Sequence, residues 1–242
     1  MIKKFYSLTQ NETIAALWIY GDITSEPIFS SDVSSYDIVT ELMSLRDVTE
    51  IEVHINSYGG ECSEAMAIVN ALEKHPAKVT TYNEGFACSA AATIFMAGDR
   101  RIASKYCNFL FHNAWSMICG NADELRTEAE NLDKITEESK KLYLSKCNLS
   151  ADELDKLMKE EKFLTPEEAL EFGFATELEG SDDKRDNAEP IAEQRIKKII
   201  MERVRFVPND QGNDEQNNGR VDENPEESQQ GTIRDNFLKF LS

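Results

Sequence analysis

The apolar residues of this chain switch spacing repeatedly between Thr13 and Glu179, and that alternation constrains the fold more than any single motif does. "AALWIYGDI" reads as a strand that ends at Gly21. "SDVSSYDIVTELMSLRD" then takes a helical period, with Ile38, Leu42 and Leu45 on one stripe and a Ser or Asp available as the cap. "IEVHINS" returns to period two, placing Ile51, Val53 and Ile55 on one side of a strand that runs into Gly59-Gly60. A helix from about Ser63 to Lys74 follows, carrying Met66, Val69 and Leu72, and "AKVTTYN" opens another strand. Strand, helix, strand, helix is the pattern of a parallel sheet with right-handed crossovers, so the expected fold class is α/β.

Farther along, "NADELRTEAENLDKITEESKKLYLSK" places Leu125, Ala129, Leu132 and Ile135 at helical spacing, a long helix with one apolar stripe and a charged remainder. Such a helix finds its partner either on its own domain or in another subunit. "SADE" at Ser150–Glu153 and "TPEE" at Thr165–Glu168 both fit a capping box, the second with Pro166 at the first helical position, and Gly173 closes that short helix. The chain has 242 residues, 40% of them hydrophobic, which suits one main domain with an appendage. That domain is expected over residues 1–180. Within 181–207, "AEQRIKKIIMERVRFV" aligns Ile196, Ile199, Ile200 and Val204 as a short amphipathic helix. Residues 208–242 begin with "PNDQGNDEQNNGRVDENPEESQQG", which has no aromatic residue and one Val and is too polar to offset its chain entropy. They end in a small apolar island, Ile233, Phe237, Leu238 and Leu241, of the kind that serves as a docking peptide or frays as a terminal helix.

A formal net charge of −19 argues against nucleic acid or an anionic membrane as a partner, because phosphate binding needs clustered Lys and Arg. The N-terminal residues lack the apolar run of a signal peptide, and no window reaches the length of a membrane span. Five cysteines are widely spaced, with no C-x-x-C pair and only three histidines in the chain, so no metal is expected and reduced thiols in a cytoplasmic protein are the simplest reading. "INSYGGE" lacks the Lys and further glycines of a phosphate-binding loop, and no cofactor is expected.

The candidate chemistry centres on "YNEGFACSAAATIFMAG", Tyr82–Gly98, where Ser89 is the only serine among small residues. A serine hydroxyl needs a base to take its proton, a partner to orient that base and N–H groups to stabilise an oxyanion. Ser89 follows a strand and Gly85 and opens an alanine-rich helix, where free backbone N–H groups and the helix dipole favour negative charge. The competing reading is that Ser89 merely caps that helix. His112, in "CNFLFHNAW", emerges at the end of an apolar strand, the usual address of site residues in α/β proteins. His75, beside Pro76, reads as an exposed helix-end residue, and His54, alternating with Glu52 and Asn56, as a packed or hydrogen-bonded one. Cys88 reads as a buried inert thiol.

"INSYGG", "EGFACSAAATIFMAG", "FLFHNAW" and "EKFLTPEEALEFGFATEL", in that order over roughly Ala15–Leu178, resemble the Clp protease proteolytic subunit (ClpP) family, and among it the ClpP-like phage and prophage proteases. The resemblance implies a ClpP/crotonase-like fold of repeated β-β-α units with a protruding handle helix, here from Ala122 to about Lys146, and residues 1–180 as the protease domain. It implies a serine endopeptidase in which Ser89 is the nucleophile, His112 the general base, and the N–H groups of Gly60 and Ala90 the oxyanion hole. The best-known members have Asp immediately before their R-F-L-S type segment, whereas "EEKFLTPEE" puts Glu161 there as the orienting carboxylate. Glu160, Asp155 or a Ser–His dyad are the alternatives. The resemblance further implies polypeptide substrates, a homo-oligomer of one or two heptameric rings, a Clp-type ATPase as partner, and, from the phage relatives, capsid or scaffold processing with association to the virion or procapsid. A catalytically idle ring subunit and a crotonase-type acyl-CoA enzyme are the rival functions.

Overall fold

The computed structural model describes residues 8–11 and 13–180. The expected helix within 181–207 and the polar segment 208–242 lie outside the described residues. Strands β1 (Leu8–Asn11) and β2 (Ile14–Ile19) form an antiparallel hairpin. Helix α1 (Ser35–Ser44) leads to β3 (Glu50–Ser57), and α2 (Cys62–Lys74) to β4 (Lys78–Cys88). Helix α3 (Ala90–Phe95) follows, then β5 (Arg100–Ala103), β6 (Asn108–Leu110), α4 (Ala122–Leu144), α5 (Ala151–Glu160), α6 (Pro166–Glu171) and β7 (Glu177–Leu178). The sheet runs β1-β2-β3-β4-β5-β7, parallel from β2 onward, with β6 parallel to β4.

Period-two spacing decides what each face of this sheet meets. Ala15, Leu17 and Ile19 of β2 and Ile51, Val53 and Ile55 of β3 form one core with Ile38 and Leu42 of α1 and Ala65, Ile68 and Leu72 of α2. Trp18 of β2, Glu52 and His54 of β3, and Tyr82 and Glu84 of β4 belong to the opposite face and lie outside that core. Parallel strands buried on both sides read as continuous apolar runs, so the E-I-E-V-H-I alternation already marks a sheet with two unlike faces.

Strand β4 is the branch point. Its first half pairs with β5 through Thr80–Asn83 and its second half with β6 through Phe86–Cys88. The switch coincides with a register shift against β3, where Ile55 opposes Asn83 but Ser57 opposes Ala87. Extra residues bulge a strand and bend it, and here the bend re-aims the end of β4. Asn83 secures the branch by donating from Nδ2 to the carbonyl of Asn108 at 2.9 Å and accepting from Gly85 N at 3.2 Å.

The helices begin where local chemistry starts them. Ser34 caps α1 by accepting from Asp37 N, and Asn121, Ser150 and Thr165 each form a complete capping box at α4, α5 and α6. Helix α4 is buried only at Ser139 and Tyr143, near its C-terminal end, while Leu125 and Ile135 stay 44% and 39% exposed. Its apolar stripe is therefore left uncovered by the described part of the chain. Its root is fixed by Tyr143, whose hydroxyl meets Thr93 of α3 at 2.7 Å, and by a 2.5 Å ion pair from Lys140 to Asp155 of α5. None of the described helices is long and apolar enough to cross a membrane.

Arg101 holds the far side together. It is 6% exposed, and its guanidinium donates to the carbonyls of Phe174 (2.7 Å), Gly98 (3.1 Å), Gly173 (3.1 Å) and Lys146 (3.3 Å). Burial lowers its pKa, yet it remains the donor that satisfies four carbonyls on three chain segments at once. Arg101→Met should cost about 3 kcal/mol, because buried carbonyls lose charged donors. Urea unfolding of the full chain reads this loss, and Arg101→Lys should recover little of it, since an ammonium cannot span the same fork.

Candidate active site

Ser89 lies between β4 and α3 with φ 55° and ψ −124°. A positive φ with extended ψ is glycine territory and costs a serine about 1–3 kcal/mol, so the surrounding bonds must impose it. They do so from both sides. Ser89 N donates to the Leu110 carbonyl at 2.8 Å, extending the β4–β6 pairing by one bond, and its own carbonyl accepts from Thr93 N at 3.1 Å. Although Ser89 occupies the cap position of α3, its side chain makes no capping hydrogen bond. The simple capping reading therefore does not hold, and the hydroxyl is left for something else.

Gly59 and Gly60 come up against this turn from the end of β3. Ser57 fixes their approach, its hydroxyl donating to the Gly21 carbonyl at 2.6 Å and accepting from Gly59 N at 3.0 Å. Both glycines have positive φ, 105° and 146°. A Cβ on Gly59 would stand 2.8 Å from Ser89 Cβ and 3.0 Å from Ala90 N, and one on Gly60 would stand 2.0 Å from the Ile23 carbonyl oxygen. Only glycine permits backbone this close to the serine. The N–H groups of Gly60 and Ala90 donate no hydrogen bond among the described residues. Two uncommitted donors thus lie beside the Ser89 turn, the arrangement an oxyanion requires.

His112 follows β6 by two residues and is half-buried. Its Nδ1 lies 2.7 Å from the carbonyl oxygen of Asn113, which can only accept, so in the neutral ring Nδ1 carries the proton and Nε2 keeps its lone pair. That is the tautomer a general base needs. Glu161 is the C-cap of α5, in the left-handed region at φ 48°, ψ 39°. Phe109 and Leu164 exchange both backbone hydrogen bonds of an antiparallel bridge, at 3.0 and 2.9 Å. Glu161 lies three residues before Leu164 and His112 three residues after Phe109. No hydrogen bond joins Ser89, His112 and Glu161 through their side chains among the described residues. The alternative carboxylates are engaged elsewhere: Asp155 with Lys140, and Glu160 with Lys162 at 2.8 Å.

The remaining candidates fall where their sequence context put them. His75 is the C-cap of α2, its Nδ1 accepting from Ala77 N at 3.1 Å. Cys88 is 1% exposed, with desolvation pushing its thiol up to about 12. All five cysteines are free thiols. His54 is stacked between Trp18 and Tyr82, with ring centroids 5.2 and 4.8 Å away, on the sheet face opposite the core. Burial opposes its charge, but Glu84 at 2.6 Å and the more distant Glu52 at 3.8 Å outweigh that and raise its pKa to about 9. Glu84 is the true hydrogen-bond partner, since 3.8 Å is too long for one. Two features of the site had no sequence signal, the positive φ of Ser89 and the Asn113 carbonyl on His112.

The Clp protease family model matches residues 21–181, about two thirds of the chain. The chain belongs to that family. Among curated relatives, the ATP-dependent Clp protease proteolytic subunit of Deinococcus radiodurans is 29% identical over 131 residues, which is 53% of this chain and 64% of the relative. The ATP-dependent Clp protease proteolytic subunit 2 of Mycolicibacterium paratuberculosis is 29% identical over 140 residues, covering 57% of this chain and 70% of the relative. Its counterpart in Thermobifida fusca is 31% identical over 153 residues, 58% and 72% of the two chains. The match thus spans a little under two thirds of the first relative's length and somewhat more of the other two.

The His54 pair yields a pH dependence with a definite sign. A folded-state pKa above the ordinary imidazole value of 6.5 means that the bound proton stabilises the fold, fully below pH 6.5 and progressively less as pH rises through about 9. Urea unfolding should therefore weaken over that window by up to about 3 kcal/mol. His54→Gln should remove most of the slope, and an imidazole that titrates below pH 7 by NMR would contradict the assignment.

Proposed function

We propose that this chain is a serine-type endopeptidase acting through an acyl-enzyme. The observation that carries the reading is the Ser89 turn itself: a serine in a strained strand-to-helix junction, its hydroxyl free of capping, with glycine backbone packed against it and uncommitted N–H groups at Gly60 and Ala90. Ser89 Oγ attacks a peptide carbonyl while His112 Nε2 takes its proton. The oxyanion sits on the N–H groups of Gly60 and Ala90. His112 then gives the proton to the leaving amine, and on the return step it activates water to release the acyl group.

Glu161 is the orienting carboxylate of this reading. It lies three residues before Leu164, whose bridge partner Phe109 lies three residues before His112, and in this reading its carboxylate takes the place of the Asn113 carbonyl at Nδ1. A carboxylate stabilises the imidazolium that forms during attack better than a neutral carbonyl does. We extend to this chain a homo-oligomeric ring, single or double, with α4 as the handle between subunits, because the apolar stripe of α4 stays exposed over most of its length. The curated relatives are named as ATP-dependent proteolytic subunits, and a Clp-type ATPase supplies the unfolding power in this reading. Substrates are polypeptides, and residues 1–180 form the protease domain.

A fluorophosphonate probe tests the chemistry. Wild type should label at one serine, Ser89→Ala should not label, and His112→Ala should lose peptide hydrolysis by about 10⁴-fold or more. Labelling that survives Ser89→Ala would sink the nucleophile assignment.

A narrower role follows from the polar segment at Pro208–Gly231 and the apolar island after it. In this reading the chain is a phage or prophage protease whose residues 208–242 dock capsid or scaffold protein for processing. Deleting residues 208–242 should abolish association with capsid protein while peptide hydrolysis continues. Unchanged capsid association in the deletion would rule out the docking role.

A further inference from the structure

Glu61 follows the glycine pair and stands at the N-cap of α2, where a side-chain oxygen ordinarily accepts from the helix backbone. It makes no such bond. Its Oε1 instead accepts three bonds from the segment before α1: from Thr24 Oγ1 at 2.8 Å, Ser25 N at 3.0 Å and Ser25 Oγ at 3.0 Å. Thr24 Oγ1 in turn accepts from Glu26 N at 3.2 Å, which fixes the turn beyond it. Burial works against the Glu61 charge, but the Thr24 and Ser25 donors outweigh it and lower its pKa, so the ionised carboxylate is the form that makes these bonds at neutral pH.

The segment gripped in this way orients the glycines. Ile23, fully buried, bridges Val33 on one side and Gly60 on the other. Its N–H donates to the Gly59 carbonyl at 2.9 Å, and its carbonyl accepts from Glu61 N at 2.8 Å. The Gly59 carbonyl and the Gly60 N–H belong to one peptide unit, and no peptide bond among the described residues is cis. In a planar trans unit these two groups point in opposite directions, so a carbonyl turned onto Ile23 aims the Gly60 N–H away from it. Adjacent glycines put few steric limits on a flip of the unit between them. Its direction therefore depends on what holds Ile23 in place.

We infer that Glu61 is a positioning residue for the Ser89 chemistry: by latching Thr24 and Ser25 it keeps Ile23 bonded to the Gly59–Gly60 peptide unit, and so keeps the Gly60 N–H turned to the oxyanion. The inference rests on the proposed serine mechanism and adds a residue that acts on the reaction only through the glycine backbone. Glu61 grips consecutive residues, Ile23 through its backbone and Thr24 and Ser25 through its carboxylate. Without the carboxylate the Ile23 bond loses its support on one side, and a flipped unit takes the Gly60 donor away from the oxyanion. That donor counts most when the negative oxygen has formed, so the loss falls on kcat rather than on KM.

The test uses the full chain, an internally quenched peptide and a peptide boronate, whose tetrahedral adduct on a serine carries the negative oxygen. Glu61→Ala should lower kcat roughly tenfold with KM held within about twofold, short of the about 10²–10³-fold that loss of a whole oxyanion donor costs. Boronate inhibition should weaken in the same proportion as kcat. Glu61→Gln should recover most of both, because its amide oxygen accepts the same three bonds. Thermal melting identifies the folded variants, and Thr24→Val, which deletes one of the donors to Glu61, is read in the same way where Glu61→Ala does not fold. A folded variant with unaltered kcat overturns the latch, and so does a loss that falls on KM or one that Glu61→Gln shares in full. Wild type that takes up no fluorophosphonate at Ser89 overturns the serine mechanism and the latch with it, whereas labelled wild type beside a variant of unaltered kcat overturns the latch alone.

Discussion

A single backbone hydrogen bond, from Ser89 N to the Leu110 carbonyl at 2.8 Å, holds the organisation of this molecule in place. It is the last bond of the β4–β6 pairing, and it pins a serine in a conformation that serine does not choose. For the bond to exist, β4 must leave β5 after Asn83 and take β6 as its neighbour, which requires the register shift against β3. The same shift brings Gly59 onto Ser89 and leaves two N–H groups without acceptors. The strain at Ser89 and the branching of the sheet are thus one feature seen at two scales.

Much of this arrangement was legible in the sequence, and the parts that were not have specific physical reasons. The alternation in β3, the stripes of α1 and α2, and the capping boxes of α5 and α6 stand in the structure close to where local chemistry places them. Strand β1 was missed because "LTQN" has no apolar alternation, and β7 because two residues carry no period. Strand β5 was hidden by its composition: "RRIA" opens with two arginines, one of which is buried and spent on backbone carbonyls. A buried Arg has no signature in a single sequence, since nothing local says that carbonyls from three chain segments will converge on it.

The candidate site divides the same way. Ser89, His112 and the glycine pair could be selected from residue type and position, because small residues at a strand-to-helix turn and a histidine past a strand are local patterns. The carboxylate behind His112 could not, and Glu161 entered only through the family resemblance. The Phe109–Leu164 bridge that ties the segment after Glu161 to β6 joins stretches far apart in sequence, and the carbonyl now on Nδ1 of His112 belongs to the adjacent residue.

The Thr93 hydroxyl gives this architecture a mechanical property. It lies 2.7 Å from Tyr143 at the root of α4 and, at 3.4 Å, also reaches back to the Ser89 carbonyl. A helix otherwise exposed along its length is thereby linked to the strained turn through one short side chain. The Thr93 hydroxyl thus joins the root of the long helix to the peptide unit that follows Ser89.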